Sequence, residues 1–108
     1  MALYMTQFAY TPQAWAALAK KPEDRGAAFG QLIERFGGKF QGIYYCFGEY
    51  DGMVIYEAPD NETATAAIIA VVGPGHIKAT KTTPLFTMEQ QMKILERAGG
   101  TTYAAPTG

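Results

Sequence analysis

The chain has 108 residues, 48% of them hydrophobic and 18% charged, which is the size and composition of one globular domain. A formal net charge of -1 with scattered Lys and Arg residues gives no electrostatic reason to bind nucleic acid or an anionic membrane. The single cysteine cannot form an internal disulfide, and no apolar run approaches the roughly 20 residues of a membrane-spanning helix. Because the N-terminus also lacks the features of a signal peptide, a cytoplasmic location is expected.

The first half of the chain has the pattern of a strand, an interrupted helix and a second strand. Residues 2–10 alternate and are rich in β-formers, which predicts a strand. Thr11-Pro12 is a helix start, and Pro22 opens a second one, so we expect one helix that is kinked or interrupted near Pro22. Gly37-Gly38 ends that helix, and residues 39–47 are predicted as the second strand.

The second half repeats this order after a short link. Residues 48–52, Gly-Glu-Tyr-Asp-Gly, are predicted as a hairpin that leads into a strand over residues 53–58. Asp60 is a good N-cap for the next helix, and residues 76–85 resemble a fourth strand. A capping box then predicts a last short helix over residues 88–97.

The predicted order is therefore β-α-β-β-α-β with an added C-terminal helix. This is the order of a ferredoxin-like α+β fold, an antiparallel sheet with helices on one face. We expect residues 1–98 to form the single domain and residues 99–108 a loose tail.

The strand patterns also predict an oligomer. Strict alternation in the second strand would place apolar residues on both faces of the sheet: Ile43, Tyr45 and Phe47 on one, and Phe40, Tyr44 and Cys46 on the other. Helices can cover only one face, and apolar patches of that size are unusual on monomers. The sheet of a second subunit is the simplest cover, so we expect at least a dimer.

The segment around the hairpin resembles a known family. Residues 42–51, continuing through Val54-Ile55-Tyr56 to Glu57-Ala58-Pro59-Asp60, are similar to the GYD domain family, and the resemblance extends over residues 3–97. It implies a ferredoxin-like fold in the group of dimeric α/β barrels. It implies little about activity, because that group includes cofactor-free oxygenases, polyketide cyclases, haem enzymes and small-molecule sensing modules. The stiff turn Gly73-Pro74-Gly75-His76 departs from the expected pattern.

His76 is the only histidine and hence the main candidate for a catalytic acid or base. Alternatively, His76 is a polar residue of the turn after Gly75. It could also be a haem ligand, although this single residue is the only feature that suggests one. Tyr10, Trp15 and Tyr45 are the candidates for lining an apolar ligand pocket, although aromatic residues are also common in cores and interfaces.

Glu57 is a further candidate for ligand binding. It follows an apolar strand on the side of Met53 and Ile55, where a partly buried carboxylate would have a raised pKa or a cationic partner such as Lys78 or Lys81. A salt bridge at the end of the strand is the simpler interpretation.

The remaining polar residues have structural interpretations. Gly48, Tyr50, Asp51 and Gly52 form the hairpin motif, which turn geometry explains, and Cys46 is predicted to be a buried, inert thiol. No group of His, Cys and carboxylate residues has the spacing of metal ligands, no glycine loop suits a phosphate, and the chain has no serine. We therefore expect no metal and no cofactor.

Two functions stay open at this level. One is a module that binds a small apolar or aromatic metabolite or a partner protein. The other is a cofactor-independent enzyme, an oxygenase, cyclase or isomerase, with His76 as the acid or base. An enzyme should bring His76 within hydrogen-bond reach of a second polar group, such as a tyrosine or Glu57, in one concave pocket.

Overall fold

The structure is a computed structural model that describes residues 1–107. Its elements are β1 (Ala2–Tyr10), α1 (Pro12–Lys20), α2 (Arg25–Arg35), β2 (Lys39–Tyr45), β3 (Gly52–Ala58), α3 (Asn61–Val72), β4 (Ile77–Leu85) and α4 (Met88–Gly99). No helix within the described residues is long and apolar enough to cross a bilayer.

The four strands form one antiparallel sheet in the order β2-β3-β1-β4. The predicted βαββαβ order with an extra C-terminal helix is confirmed, and the fold is ferredoxin-like. The first helical unit consists of two helices, α1 and α2, joined by residues 21–24. Residues from α1, α2 and α3 all contribute to the same core, which covers one face of the sheet.

The helices begin where side-chain caps satisfy their first N–H groups. Thr11 accepts from the Ala14 N–H at 3.1 Å, and Asp60 accepts from the Thr63 N–H at 2.8 Å. Asp24 caps α2 in the same way, which explains why a new helix starts after Pro22 instead of α1 continuing. The capping box predicted at the start of α4 is present.

The core lies between the sheet and helices α1 to α3. Tyr56 of β3 and Ile33 of α2 are fully buried there. Thr6 is the one buried polar residue among residues 1–107, and its hydroxyl bonds to the hydroxyls of Tyr56 at 2.7 Å and Thr82 at 2.8 Å. Two hydrogen bonds compensate the cost of removing this hydroxyl from water, so the network is compatible with a stable core.

The predicted face of Phe40 is wrong because β2 carries a bulge between Phe40 and Gly42. A bulge inserts one residue and so reverses the alternation on one side of it. Phe40 pairs with Tyr56, and Ile43 pairs with Val54, so both side chains of β2 lie on the helix-covered face.

The prediction that Cys46 is buried is also wrong. The strand β2 ends at Tyr45, two residues before its predicted end, and Cys46 lies exposed in the link to β3. Its thiol donates a hydrogen bond to the Tyr50 carbonyl at 3.1 Å.

Two apolar surfaces of the described residues have no cover. The outer face of the sheet carries half-exposed or exposed Leu3, Met5, Tyr44, Met53 and Ile55. The helix α4 has no buried residue at all, although Met88, Met92 and Leu95 recur at helical spacing on one side. We call this row of three residues the α4 stripe.

Candidate functional site

A cleft of about 250 Å³ lies between the covered face of the sheet and the helices α2 and α3. Phe8 and Val54 of the sheet, Leu32 of α2, and Val71 of α3 give it mainly apolar walls. His76 and Tyr10 line the same cleft and supply polar groups. Such a concave, mostly apolar space with few polar groups is the usual form of a small-molecule site.

Tyr10 is the centre of an aromatic cluster beside the cleft. It is 4% exposed, and its hydroxyl bonds to the Tyr45 hydroxyl at 3.0 Å. Its ring meets Trp15 edge-on at 5.0 Å between centroids and stacks near His76 at 6.4 Å. Burial, and then the hydrogen bond with Tyr45, raise the pKa of Tyr10, so the phenol stays protonated.

His76 follows Gly75, whose φ of +92° gives the turn a backbone conformation that suits glycine. The backbone carbonyl of His76 accepts a hydrogen bond from the Thr11 N–H at 3.0 Å, which connects the turn to the start of α1. Burial, and then the charge of Arg25, lower the pKa of His76, so the imidazole is neutral at neutral pH.

Asp51 of the hairpin positions this aromatic cluster from a distance. Its carboxylate oxygen Oδ2 accepts from the Tyr10 backbone N–H at 2.8 Å and from the Trp15 indole N–H at 3.2 Å. These partners are 41 and 36 residues away. The local turn geometry that we expected from the sequence therefore does not explain Asp51. Asp51 also does not adopt a left-handed backbone conformation, because within residues 1–107 no residue other than glycine has a positive φ.

Gly52 is also required for a reason other than the turn. A Cβ atom there would lie 2.6 Å from Phe8 Cζ and 2.7 Å from the Tyr44 carbonyl oxygen. Gly48 has open space around it, and Tyr50 is half-buried. In the hairpin motif, Gly52 therefore allows close packing against Phe8 and the Tyr44 backbone, and Asp51 forms hydrogen bonds to residues distant in the sequence.

Glu57 does not reach the cleft. It lies on the outer face of the sheet with Met53 and Ile55, and its carboxylate accepts from the Gln41 amide at 2.9 Å. Neither Lys78 nor Lys81 forms an ion pair with it. His76 and Glu57 are therefore on opposite sides of the sheet and do not form an acid–base pair.

Sequence reasoning missed two arginines of the cleft, Arg25 and Arg35. With Ala28 and Leu32 they fall at i, i+3, i+7 and i+10 along α2, so all four residues share one face of the helix. That spacing was readable in the sequence, next to the apolar stripe of the same helix. It does not by itself show that the face borders a cleft.

A second cavity of about 500 Å³ adjoins the first and shares Tyr10, Arg25 and His76 with it. Glu23 and Lys21 line only this second cavity. Glu23 forms an ion pair with Arg25, with Oε1 and Nη1 3.1 Å apart. Residues 1–107 contain no cluster of three His, Cys, Asp or Glu side chains that could hold a metal ion.

Comparison with solved structures supports the fold. MtbAldR has a TM-score of 0.58 at 17% identity, with 80% of this chain and 53% of that chain covered. The chain thus spans about half the length of MtbAldR. At this level of identity the likeness shows the fold alone.

Two further solved structures match with lower scores. FFRP-DM1 has a TM-score of 0.49 at 16% identity, covering 80% of this chain and 100% of that one. The 30S ribosomal protein S6 of Thermotoga maritima has a TM-score of 0.47 at 18% identity, covering 93% and 98%. Curated proteins of known function yield no match.

The family comparison goes further than these structural matches, because a family model that matches most of the chain identifies the family and not the fold alone. The model of the GYD domain matches residues 4–95, from β1 into α4 and including the hairpin that carries Asp51. The chain belongs to the GYD domain family.

Proposed function

We propose that this domain is a binding module whose cleft takes a small apolar or aromatic molecule. The observation that supports it is the cleft itself: an open space of about 250 Å³ with apolar walls, beside the protonated hydroxyl of Tyr10 and the neutral ring of His76. Apolar walls supply the affinity for a ring, and the two polar groups orient it.

An enzyme that uses His76 as acid or base is the second candidate. One observation favours it, because a neutral imidazole at the wall of an apolar cleft is able to accept a proton. A general base works best when a second group fixes its tautomer. Within residues 1–107 the imidazole has no hydrogen-bond partner, and Glu57 lies on the other face of the sheet. We therefore place the binding module first.

Titration with cinnamamide, a neutral aromatic amide, tests the binding proposal. We expect amide chemical shifts to change at Phe8, Val71 and His76 as the ring enters the cleft. Ala28→Phe places a bulky ring into the cleft and should abolish these changes. Ala66→Phe, on the exposed side of α3, is the matched control and should leave them intact. No change at the cleft residues, either with the amide up to its solubility limit or with the corresponding carboxylate cinnamate, contradicts the proposal.

The domain is further proposed to act as a homodimer, because its outer sheet face and its α4 stripe both need a cover. Four strands about 4.8 Å apart and about seven residues long present a face of roughly 450 Å². A stable interface needs about 800 Å² from each partner. The sheet face alone falls short of that area, and the α4 stripe of each chain, laid across its partner, would supply the rest.

The mass in solution, measured by light scattering or sedimentation at micromolar concentration, tests the dimer. Met92→Glu places a charge in the α4 stripe and should shift the protein toward the monomer. Lys93→Glu, on the opposite side of the same helix, is the control and should leave the mass unchanged. A monomeric wild-type chain that stays soluble would refute the need for a second cover.

A further inference from the structure

The charged residues that line the cleft are all of one sign. Arg25 and Arg35 line it, and no aspartate or glutamate does. They are ten residues apart on one face of α2, so their Cα atoms are about 15 Å apart along the helix. Between the two arginines, α2 contributes Ala28, Phe29 and Leu32 to the lining of the cleft, all of them apolar.

We propose that the cleft is specific for an organic anion, an aromatic or aliphatic carboxylate whose apolar part packs against Phe8, Leu32 and Val71 and whose carboxylate binds Arg25. This inference rests on the proposed binding function and specifies the class of ligand. The planar guanidinium presents paired N–H donors that match the two oxygens of a carboxylate. Apolar walls lower the local dielectric constant and strengthen that attraction.

Arg25 is the better anchor of the two arginines because of what surrounds it. It lines both cavities together with Tyr10 and His76, whose protonated hydroxyl and neutral ring add hydrogen-bonding groups without adding negative charge. Arg35 lines only the first cavity and is exposed, so water screens its charge more strongly.

The ion pair with Glu23 does not prevent this binding. The side chains of Arg25 and Glu23 are 33% and 55% exposed, and exposed pairs contribute little to stability. Glu23 lines the second cavity and not the first, so a carboxylate in the cleft approaches Arg25 from another side. Glu23 then competes with the ligand for the same guanidinium.

The test compares cinnamate with cinnamamide, which have the same size and shape and differ in charge. Dissociation constants come from amide chemical shifts of the full chain. We expect cinnamate to bind roughly tenfold tighter, as a hydrogen-bonded charge pair in a partly buried site would give. About 0.5 M salt should reduce the difference, because it screens the guanidinium.

Three variants locate the effect. Arg25→Gln should bring the two ligands to equal affinity, and Glu23→Gln should strengthen cinnamate binding by removing the competitor. Arg97→Gln, on the exposed helix α4, removes the same charge far from the cleft and should leave the preference unchanged. The Glu23 variant gives an independent result if Arg25→Gln proves unstable.

The outcomes separate this inference from the function on which it rests. Equal affinity of the wild-type protein for cinnamate and cinnamamide, with shifts at the cleft, overturns the anion specificity and supports the binding module. Chemical-shift changes confined to the outer sheet face or to the α4 stripe would show that the ligands do not bind in the cleft and would overturn the proposed site. Absence of binding by either ligand overturns the proposed function itself.

Discussion

Replacement of Asp51 by alanine is the sharpest test of how the hairpin supports the cleft. In the native protein its carboxylate bonds to the Tyr10 N–H and the Trp15 indole. The pairing of β1 with β3 ends at Phe8 and Gly52, two residues before Tyr10. The carboxylate therefore takes the place of a strand acceptor, and the alanine variant would leave the Tyr10 N–H without a partner.

The size of the effect follows from the burial of the two donors. Tyr10 is 4% exposed, and an unpaired buried N–H costs about 1–3 kcal/mol of folding free energy. Trp15 is 42% exposed, so water can replace the carboxylate at its indole, and that loss is at most about 1 kcal/mol. We expect Asp51→Ala to lower the free energy of unfolding by about 2–3 kcal/mol, which corresponds to a fall in Tm of roughly 10 °C.

Urea unfolding followed by circular dichroism and by the fluorescence of Trp15, the only tryptophan, measures this loss. Asp51→Asn keeps an acceptor oxygen and should lose less than half as much. Glu49→Ala removes a neighbouring carboxylate that is exposed and makes no side-chain hydrogen bond within residues 1–107, so it should change stability by less than about 0.5 kcal/mol. If Asp51→Ala is as stable as Glu49→Ala, the long-range role assigned to the carboxylate is refuted.

Three further predictions concern the hairpin, the cleft and α2. Gly52→Ala should destabilise the domain by about 2 kcal/mol or more, because the added Cβ would collide with Phe8 and the Tyr44 carbonyl. Gly48→Ala is the control and should be nearly neutral, because Gly48 has open space around it. Equal urea midpoints of unfolding for the two variants would contradict this prediction. Because the folded pKa of His76 lies below the ordinary 6.5, its contribution to stability is present above about pH 6.5 and is lost as the pH falls through the folded pKa. His76→Gln should therefore reduce the loss of unfolding free energy as the pH falls below about 6.5. An unchanged pH dependence would show that other groups cause this loss. Asp24→Ala removes the N-cap of α2 and should cost about 1 kcal/mol, measured by urea unfolding; a loss below about 0.3 kcal/mol would show that the cap is dispensable.

The sequence alone determined the order of the elements and most of their ends. The side chains of Thr11, Asp60 and Thr87 accept hydrogen bonds from N–H groups only three residues away, so these caps can be predicted from the local sequence. The same holds for the glycines that end α2. The family resemblance also needed only the sequence, because the hairpin motif and its flanking strands are contiguous.

The tertiary structure decided which of the candidate residues meet. Tyr10 and His76 line the cleft as part of one wall, Trp15 and Tyr45 contact Tyr10 beside it, and Glu57 lies on the other face. The bulge in β2 reversed the predicted side of Phe40 because strand pairing, not alternation alone, sets the face of a side chain.

Asp51 shows the same limit most clearly. Its residue type and its place in a glycine-flanked hairpin suggested a local turn residue, yet its carboxylate contacts Tyr10 and Trp15, about 40 residues earlier in the chain. The arginines of the cleft were likewise visible as one helix face, but not as a wall opposite the sheet. Caps and turns depend on atoms within four residues of each other, whereas a cleft depends on strand register and helix packing between distant segments, and only the folded chain brings those segments together.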